Sequence, residues 1–146
     1  MATSYHYFPG IAKWVKAKTP DDKYGTYTMS LYIDKATLKE MNKVGFNPKI
    51  KMDDDGMFVT LRRHHEKMIK GEPVVFGPPA IKLNNNGTLE DFTGYVGNGS
   101  KVVAKMEIYD AGDTKGSRWS ALRVDELVEY VPSDRVDAAD ALGVPF

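Results

Sequence analysis

Residues 24–45 read YGTYTMSLYIDKATLKEMNKVG, and a change of period inside that stretch decides the fold. From Tyr24 to Ile33 the chain alternates: Tyr27, Met29, Leu31 and Ile33 form one face, and Thr26, Thr28, Ser30 and Tyr32 the other. A period of two is a strand with one face on a core. After Asp34 the apolar spacing becomes three. Leu38, Met41 and Val44 fall on one side of a helix predicted over Lys35 to Val44, with Lys39, Glu40 and Lys43 turned to water. Asp34 supplies the N-cap and Gly45 the stop.

Outward from this stretch, turn signals are dense: Pro9-Gly10, Thr19 to Asp22, Asp53 to Gly56, Gly77-Pro78-Pro79, Asn84 to Gly87, Gly97-Asn98-Gly99 and Ala111-Gly112-Asp113. Upstream, Ile11 to Ala17 reads as a first strand, with Ala12, Trp14 and Lys16 on one face and Ile11, Lys13 and Val15 on the other. Downstream, strands are predicted over Met57 to Arg63, Lys101 to Tyr109 and Arg118 to Val131, the last bent near Asp125-Glu126. In the second of these Val102, Ala104, Met106 and Ile108 alternate with Lys101, Val103, Lys105, Glu107 and Tyr109. Five or six strands with one helix after the second predict a mainly β domain over residues 1–131. The expected architecture is a single OB-type Greek-key β-barrel, followed by a flexible acidic tail over 132–146.

The 146 residues suit one domain with a core of useful size. The chain has no cysteine, which excludes a disulfide scaffold, a CxxC redox site and any thiolate metal site. No apolar run approaches the roughly 18 residues of a membrane span, and MATSYHYFPG lacks the charged-then-apolar order of a signal peptide. A cytoplasmic setting without a membrane is expected. The formal net charge is zero, yet residues 1–70 hold 13 Lys/Arg against 8 Asp/Glu, while residues 71–131 hold 6 against 9. The last fifteen residues set Arg135 against Asp134, Asp137 and Asp140. A basic first half with an acidic end fits a nucleic-acid surface carrying an acidic tail. It also fits ordinary scatter of charge over a solvated surface.

Catalytic patterns are weak. Asp53-Asp54-Asp55-Gly56 lacks the spaced carboxylates and closing Glu of a calcium loop and reads as a solvated turn. His64 and His65 are adjacent on a strand and so point to opposite faces, unlike a helical i, i+4 zinc pair. Gly97-Asn98-Gly99-Ser100 lacks the length and the Lys of a phosphate-binding P-loop. The expectation is a protein that is not an enzyme, with no cofactor and no metal.

Cations and rings recur together instead. Trp14 shares a face with Lys16, and Lys18 continues that line. Phe58, Arg62 and His64 lie opposite the core-like Val59 and Leu61. Tyr109 shares a face with Lys101 and Lys105, and Trp119 shares one with Arg123, with Arg118 and Lys115 adjoining. Single-stranded nucleic acid is held by this combination, because bases stack on flat rings while cations follow the phosphates. Trp14, Phe58, Tyr109 and Trp119 are the stacking candidates. Lys13, Lys16, Lys18, Arg62, Arg63, Lys101, Lys105 and Arg118 are the phosphate candidates, with His64 beside them.

The chain ends Asp134-Arg-Val-Asp-Ala-Ala-Asp-Ala-Leu-Gly-Val-Pro-Phe146. Spaced acids closed by Pro-Phe resemble the tip of bacterial single-stranded-DNA-binding proteins, although this stretch is shorter and includes Arg135. The same residues fit a helical C-terminus with Ser133 as N-cap. The resemblance implies that Asp134, Asp137, Asp140, Val144, Pro145 and Phe146 dock on protein partners. The body resembles a further family over roughly residues 10–131. Tyr24-Gly-Thr-Tyr, Leu31-Tyr-Ile-Asp, Gly94-Tyr-Val-Gly-Asn-Gly-Ser-Lys-Val-Val-Ala-Lys and Ala121-Leu-Arg-Val-Asp-Glu-Leu-Val-Glu-Tyr are similar to the single-stranded-DNA-binding replication proteins of tailed phages.

That resemblance implies an OB fold binding single-stranded DNA without sequence preference and acting in DNA replication and recombination. It implies recruitment of a polymerase, helicase or primase through the tail, competition of the tail with DNA for a basic groove, and a place in the host cytoplasm. It maps a cation-bearing central strand onto Phe58 to His64 and a late aromatic near Tyr109. Oligomeric state is left open, a homodimer included. A virion structural or assembly β-barrel that binds protein is the rival reading. A metal-dependent nuclease using Asp53 to Asp55 with His64 or His65 is the more distant one.

Overall fold

The alternating stretch forms a seven-residue strand, and the capped stretch after it forms the helix. In the computed structural model, which describes residues 3–21, 23–111 and 113–128, the order is β1 (Thr3–Lys16), β2 (Thr26–Tyr32), α1 (Lys35–Lys43), β3 (Lys51–Asp53) and β4 (Gly56–His64). There follow β5 (Glu66–Ile69), β6 (Glu72–Val75), β7 (Ala80–Asn85), β8 (Thr88–Asp91), β9 (Ser100–Ala111) and β10 (Thr114–Glu126). Asp34 caps α1 as the sequence predicts, its carboxylate accepting the Thr37 amide at 2.8 Å, and Gly45 after it takes φ +94°. That hydrogen bond holds the Asp34 carboxyl below the usual carboxylate range.

Eight strands make one sheet in the order β3-β4-β2-β1-β9-β10-β7-β8, and β5-β6 form a separate hairpin. Five of them, β1, β2, β4, β9 and β10, carry the OB-type Greek key, with the helix after the second strand. The barrel is an open one. β4 and β10 share no ladder, and they meet through Arg63, whose guanidinium donates to the Trp119 carbonyl at 3.3 Å. The inner faces of these strands bury Met29, Leu31, Val59, Leu61, Val102, Ala104, Met106, Leu122 and Val124. From the helix side Met41 enters the core, and Phe46 packs on Phe8 with ring centroids 6.3 Å apart.

β1 is longer than the seven residues read from the sequence. Thr3 to Ala12 pair with β9, and Ile11 to Lys16 pair with β2. Gly10 lies at this changeover, where a Cβ would come within 2.4 Å of the Tyr32 carbonyl oxygen. Two hairpins were not foreseen. β5-β6 and β7-β8 turn through Lys70-Gly71 and Asn86-Gly87, in which all four residues have positive φ, as a type I′ turn requires. The short strands around them lack the alternation that marks a strand in sequence. The expected continuation of β10 to Val131, and the tail over 132–146, lie outside the described residues.

Three bulges change which side chains face the core, the last between Val124 and Glu126, where β10 advances two residues while β9 advances one. Between Lys13 and Lys16, β1 advances three residues while β2 advances two, from Ser30 to Thr28. Between Trp119 and Ala121, β10 advances two residues while β9 advances one, from Met106 to Lys105. Each extra residue reverses the in-out alternation beyond it. Ala12 is therefore in the core, while Trp14, at φ +54°, is 61% exposed. The expected face of Ala12, Trp14 and Lys16 is thus split. Trp119 is corrected as well. It is 0% exposed, on the core side with Leu122 and Val124, and its indole N–H donates to the Ala121 carbonyl. The face expected to join Trp119 to Arg123 does not exist, and no base can stack on that ring.

As a core residue, Trp119 replaced by Ala should cost about 3–5 kcal/mol. Urea unfolding checks this by a lowered midpoint with little change in slope.

Candidate nucleic-acid interface

Register places the outward side chains of four neighbouring strands in rows. Lys51, Phe58, Tyr32 and Ile11 stand opposite one another, as do Thr60, Ser30 and Lys13, and then Arg62, Thr28 and Lys16. On β1, β2 and β4 the opposite side chains include the core residues Ala12, Met29, Leu31, Val59 and Leu61; on this face Tyr32 and Ser30 are nearly covered, while Lys16, Lys51 and Arg62 are exposed. At one end of it the Tyr32 hydroxyl donates to Asp53, and the Lys13 ammonium pairs with Asp55 while lying 4.8 Å from the Tyr32 ring centroid. Burial, then the Asp53 hydrogen bond, pushes the Tyr32 phenol up to about 12. The same bond holds Asp53 below the usual carboxylate range. Phe58 stacks on Tyr32, with centroids 4.8 Å apart, and is half-buried.

Beyond Arg62 the face falls into a groove of about 600 Å³ between β4, the start of β10 and the segment after α1. Seven of its seventeen described lining residues are Lys or Arg and none of the seventeen is Asp or Glu: Lys49, Lys51, Arg62, Arg63, Lys67, Lys115 and Arg118. His64, Phe46 and Tyr109 also line it. A smaller hollow, of about 470 Å³, shares Thr60, Arg62 and His64 with it and is also lined by Thr28, Asp21 and the exposed Tyr24. Cations gathered in a concave wall raise the local potential beyond what scattered ones achieve.

The cations have different duties. Arg63 donates to the carbonyls of Phe76 at 2.6 Å, Gly77 at 2.8 Å and Trp119 at 3.3 Å, tying β4 to the end of the β5-β6 hairpin and to β10. Burial and the neighbouring Arg118 lower its pKa. Arg118 pairs with Glu107 at 2.8 Å and lies 4.0 Å from the Phe76 ring centroid and 5.1 Å from that of Tyr109. These two arginines build the wall. Lys49, Arg62 and Lys67 make no ion pair among the described residues, and the Lys51 ammonium reaches only Thr60 Oγ1, at 3.4 Å. The Tyr109 ring lies against Gly116, where a Cβ would come within 2.4 Å of it, so bare backbone fixes the ring as a platform.

Of the residues expected from sequence, the groove therefore unites Arg62, Arg63, His64, Tyr109 and Arg118. Lys13, Lys16, Trp14 and Phe58 belong to the outward face beside it. Lys18 sits further along, donating to the Thr93 carbonyl and lying 4.7 Å from the Tyr95 ring centroid. Lys105 lies over Tyr5 at 4.6 Å and Lys101 pairs with Glu126 at 3.3 Å; neither lines the groove. Lys49, Lys51, Lys67, Phe46 and Phe76 were missed. The only signal of the three lysines in sequence is the excess of basic residues before position 70, and Phe46 and Phe76 have none.

Gly97 to Ser100 has a structural duty. Asn98 Oδ1 accepts the Trp14 amide at 2.8 Å, pinning the first bulge, and the buried Ser100 hydroxyl accepts the Val128 amide at 2.8 Å. The residues of the nuclease reading are apart: Gly56 and His64 end the same strand, about 27 Å from each other at the usual rise. His65 Nδ1 is 2.7 Å from the Tyr27 hydroxyl. Asp134, Asp137, Asp140, Val144, Pro145 and Phe146 lie outside the described residues.

No family model matches the sequence, and no curated protein matches it. Among solved structures the fold is similar to gp2.5, a single-stranded DNA-binding protein encoded by bacteriophage T7. The TM-score is 0.55 at 17% identity over 93% of this chain and 94% of that one. It is also similar to a C-terminally truncated single-stranded DNA-binding protein from bacteriophage Enc34. There the TM-score is 0.52 at 9% identity over 87% of this chain and 88% of that one. At such identities the likeness is one of fold.

Two outcomes are expected from this geometry. Tyr32 should ionise near pH 12, above the usual phenol range. Because the folded value is the raised one, its contribution to stability is complete below about pH 10 and is lost as pH rises toward 12. Phenolate absorbance should show the late step, and Tyr32→Phe should remove it. Arg63→Met, which deletes hydrogen bonds from a charged donor, should cost about 1.5–3 kcal/mol. Hydrogen exchange should quicken first across residues 66–77.

Proposed function

We propose that this chain is a phage single-stranded-DNA-binding protein that holds DNA without sequence preference. On this reading it protects single strands in replication and recombination and recruits a polymerase, helicase or primase through residues 132–146. The observation that carries the reading is the groove with seven Lys/Arg and no carboxylate among the described residues of its wall. A phosphodiester strand is the polyanion that such a wall suits, and no base-specific donor-acceptor pair is needed to hold it. The OB-type fold supports it, since oligonucleotides commonly bind the outward face of the second and third strands of such folds, here β2 and β4. Both fold neighbours are single-stranded DNA-binding proteins of phages.

In this reading Arg62, Lys49, Lys51 and Lys67 neutralise phosphates. Tyr109 offers a stacking platform, and Lys13, Lys16, Lys18, Trp14, Phe58 and His64 extend the contact along β1, β2 and β4. Arg63 and Arg118 act by shaping the wall. Lys101 and Lys105, away from the groove, reach only a strand that wraps over β9.

Oligo-dT titration followed by tryptophan fluorescence tests the proposal. Trp14, exposed on the face, should report binding, and Trp14→Phe should remove most of the signal because Trp119 is enclosed. Affinity should fall steeply with salt, and Arg62→Ala or Lys51→Ala should each flatten the log–log slope by about 0.7. Absence of affinity in low salt overturns the proposal and leaves the protein-binding β-barrel. Deleting residues 134–146 should preserve or tighten DNA binding and abolish capture of replication proteins. Weaker DNA binding after that deletion would place the tail in the DNA site itself.

A further inference from the structure

A second concavity, of about 610 Å³, lies past the bulge of β1, outside the groove. Pro79 and Val96 are buried in its wall, Val15, Ile81 and Phe92 are half-buried, and the exposed rim holds Lys16, Lys18 and Tyr95. Among the described residues no Asp or Glu lines it. Its size is that of clefts that enclose small ligands. The Phe92 ring is seated against the backbone of Gly94, where a Cβ would come within 2.6 Å of it. The Lys18 ammonium lies 4.7 Å from the Tyr95 ring centroid, so a cation and a flat ring are presented together.

The cleft is continuous with the basic face. Arg62, which belongs to the groove, stands opposite Thr28, and Thr28 stands opposite Lys16, which belongs to the cleft. Two strand spacings, about 10 Å, separate these cations. A strand running from Arg62 to Lys16 therefore arrives at an apolar cleft with a ring on its rim. A peptide plug would need no cations there, whereas a nucleotide needs both an apolar slot and cations for its phosphates.

We infer that this cleft is a base-binding subsite, which takes a nucleobase of the single strand lying in the groove, stacked on Tyr95 and flanked by Phe92. The inference rests on the single-stranded-DNA reading of the groove. Lys16 and Lys18 hold the phosphates on either side of that base, and the subsite fixes one end of the bound strand.

Full-length protein titrated with an oligo-dT length series separates this from the reading beneath it. Tyr95→Ala should leave the affinity for the shortest binding oligonucleotides unchanged and weaken that for longer ones by about tenfold, the effect of one lost stack. Tyr95→Phe, which keeps the ring, should restore the longer-oligonucleotide affinity. A Tyr95→Ala loss that is equal at every length, or absent, overturns the subsite. In the unaltered protein, oligonucleotides carrying one 5-iodouracil should crosslink to the segment around Tyr95 only from positions near one end. Crosslinks confined to the groove segments would overturn it too. If the unaltered protein binds no oligonucleotide, the groove reading itself fails and the subsite with it.

Discussion

Side chains on a strand alternate with a period of two, so one extra residue reverses everything that follows it. Two such residues decide where the tryptophans of this molecule lie. In β1 the bulge turns Trp14 outward and lets Val15 and Ala17 pack inward beyond Ala12. In β10 the bulge leaves Trp119 inside and returns Leu122 and Val124 to the core. One tryptophan becomes a surface ring and the other the largest fully buried side chain. Asn98 supports the first of these by accepting the Trp14 amide at the strained position.

The groove follows from the barrel being open. β4 and β10 do not exchange ladder hydrogen bonds, and the gap between them is spanned by side chains instead. Arg63 crosses to the Trp119 carbonyl, Arg118 is held between Phe76 and Tyr109, and Glu107 neutralises Arg118. Cations held in this way are structural, whereas Lys49, Arg62 and Lys67 make no ion pair among the described residues. An ion-paired arginine in a wall contributes shape, whereas an unpaired lysine contributes field.

Much of the scaffold was legible because its residues obey one local rule at a time. Tyr27, Met29, Leu31 and Ile33, Val59 and Leu61, and Val102, Ala104, Met106 and Ile108 alternate in sequence and are all buried, although Ser30 and Tyr32 on the other face of β2 are covered as well. Asp34 and Gly45 bounded the helix for reasons confined to one turn of chain. The β5-β6 hairpin escaped because Glu66 to Val75 bury little and therefore have no pattern to show. In the groove, Arg62, His64 and Tyr109 were legible as outward residues of good strands, while Lys49 and Lys67 sit in segments whose position is set by distant packing.

The sequence by itself determined the mainly β architecture, the single helix after the second strand, and a basic, ring-bearing set of side chains before position 70. These follow from periodicity, capping and composition, which act over a few residues. Only the tertiary structure decided which tryptophan faces water, which arginines are spent on carbonyls and carboxylates, and which lysines gather in one wall. Bulges are set by the register between paired strands, and the groove by residues up to 73 positions apart, as Gly45 and Arg118 are, that line one wall beside an open seam. No local pattern encodes either, because both are properties of pairs of strands.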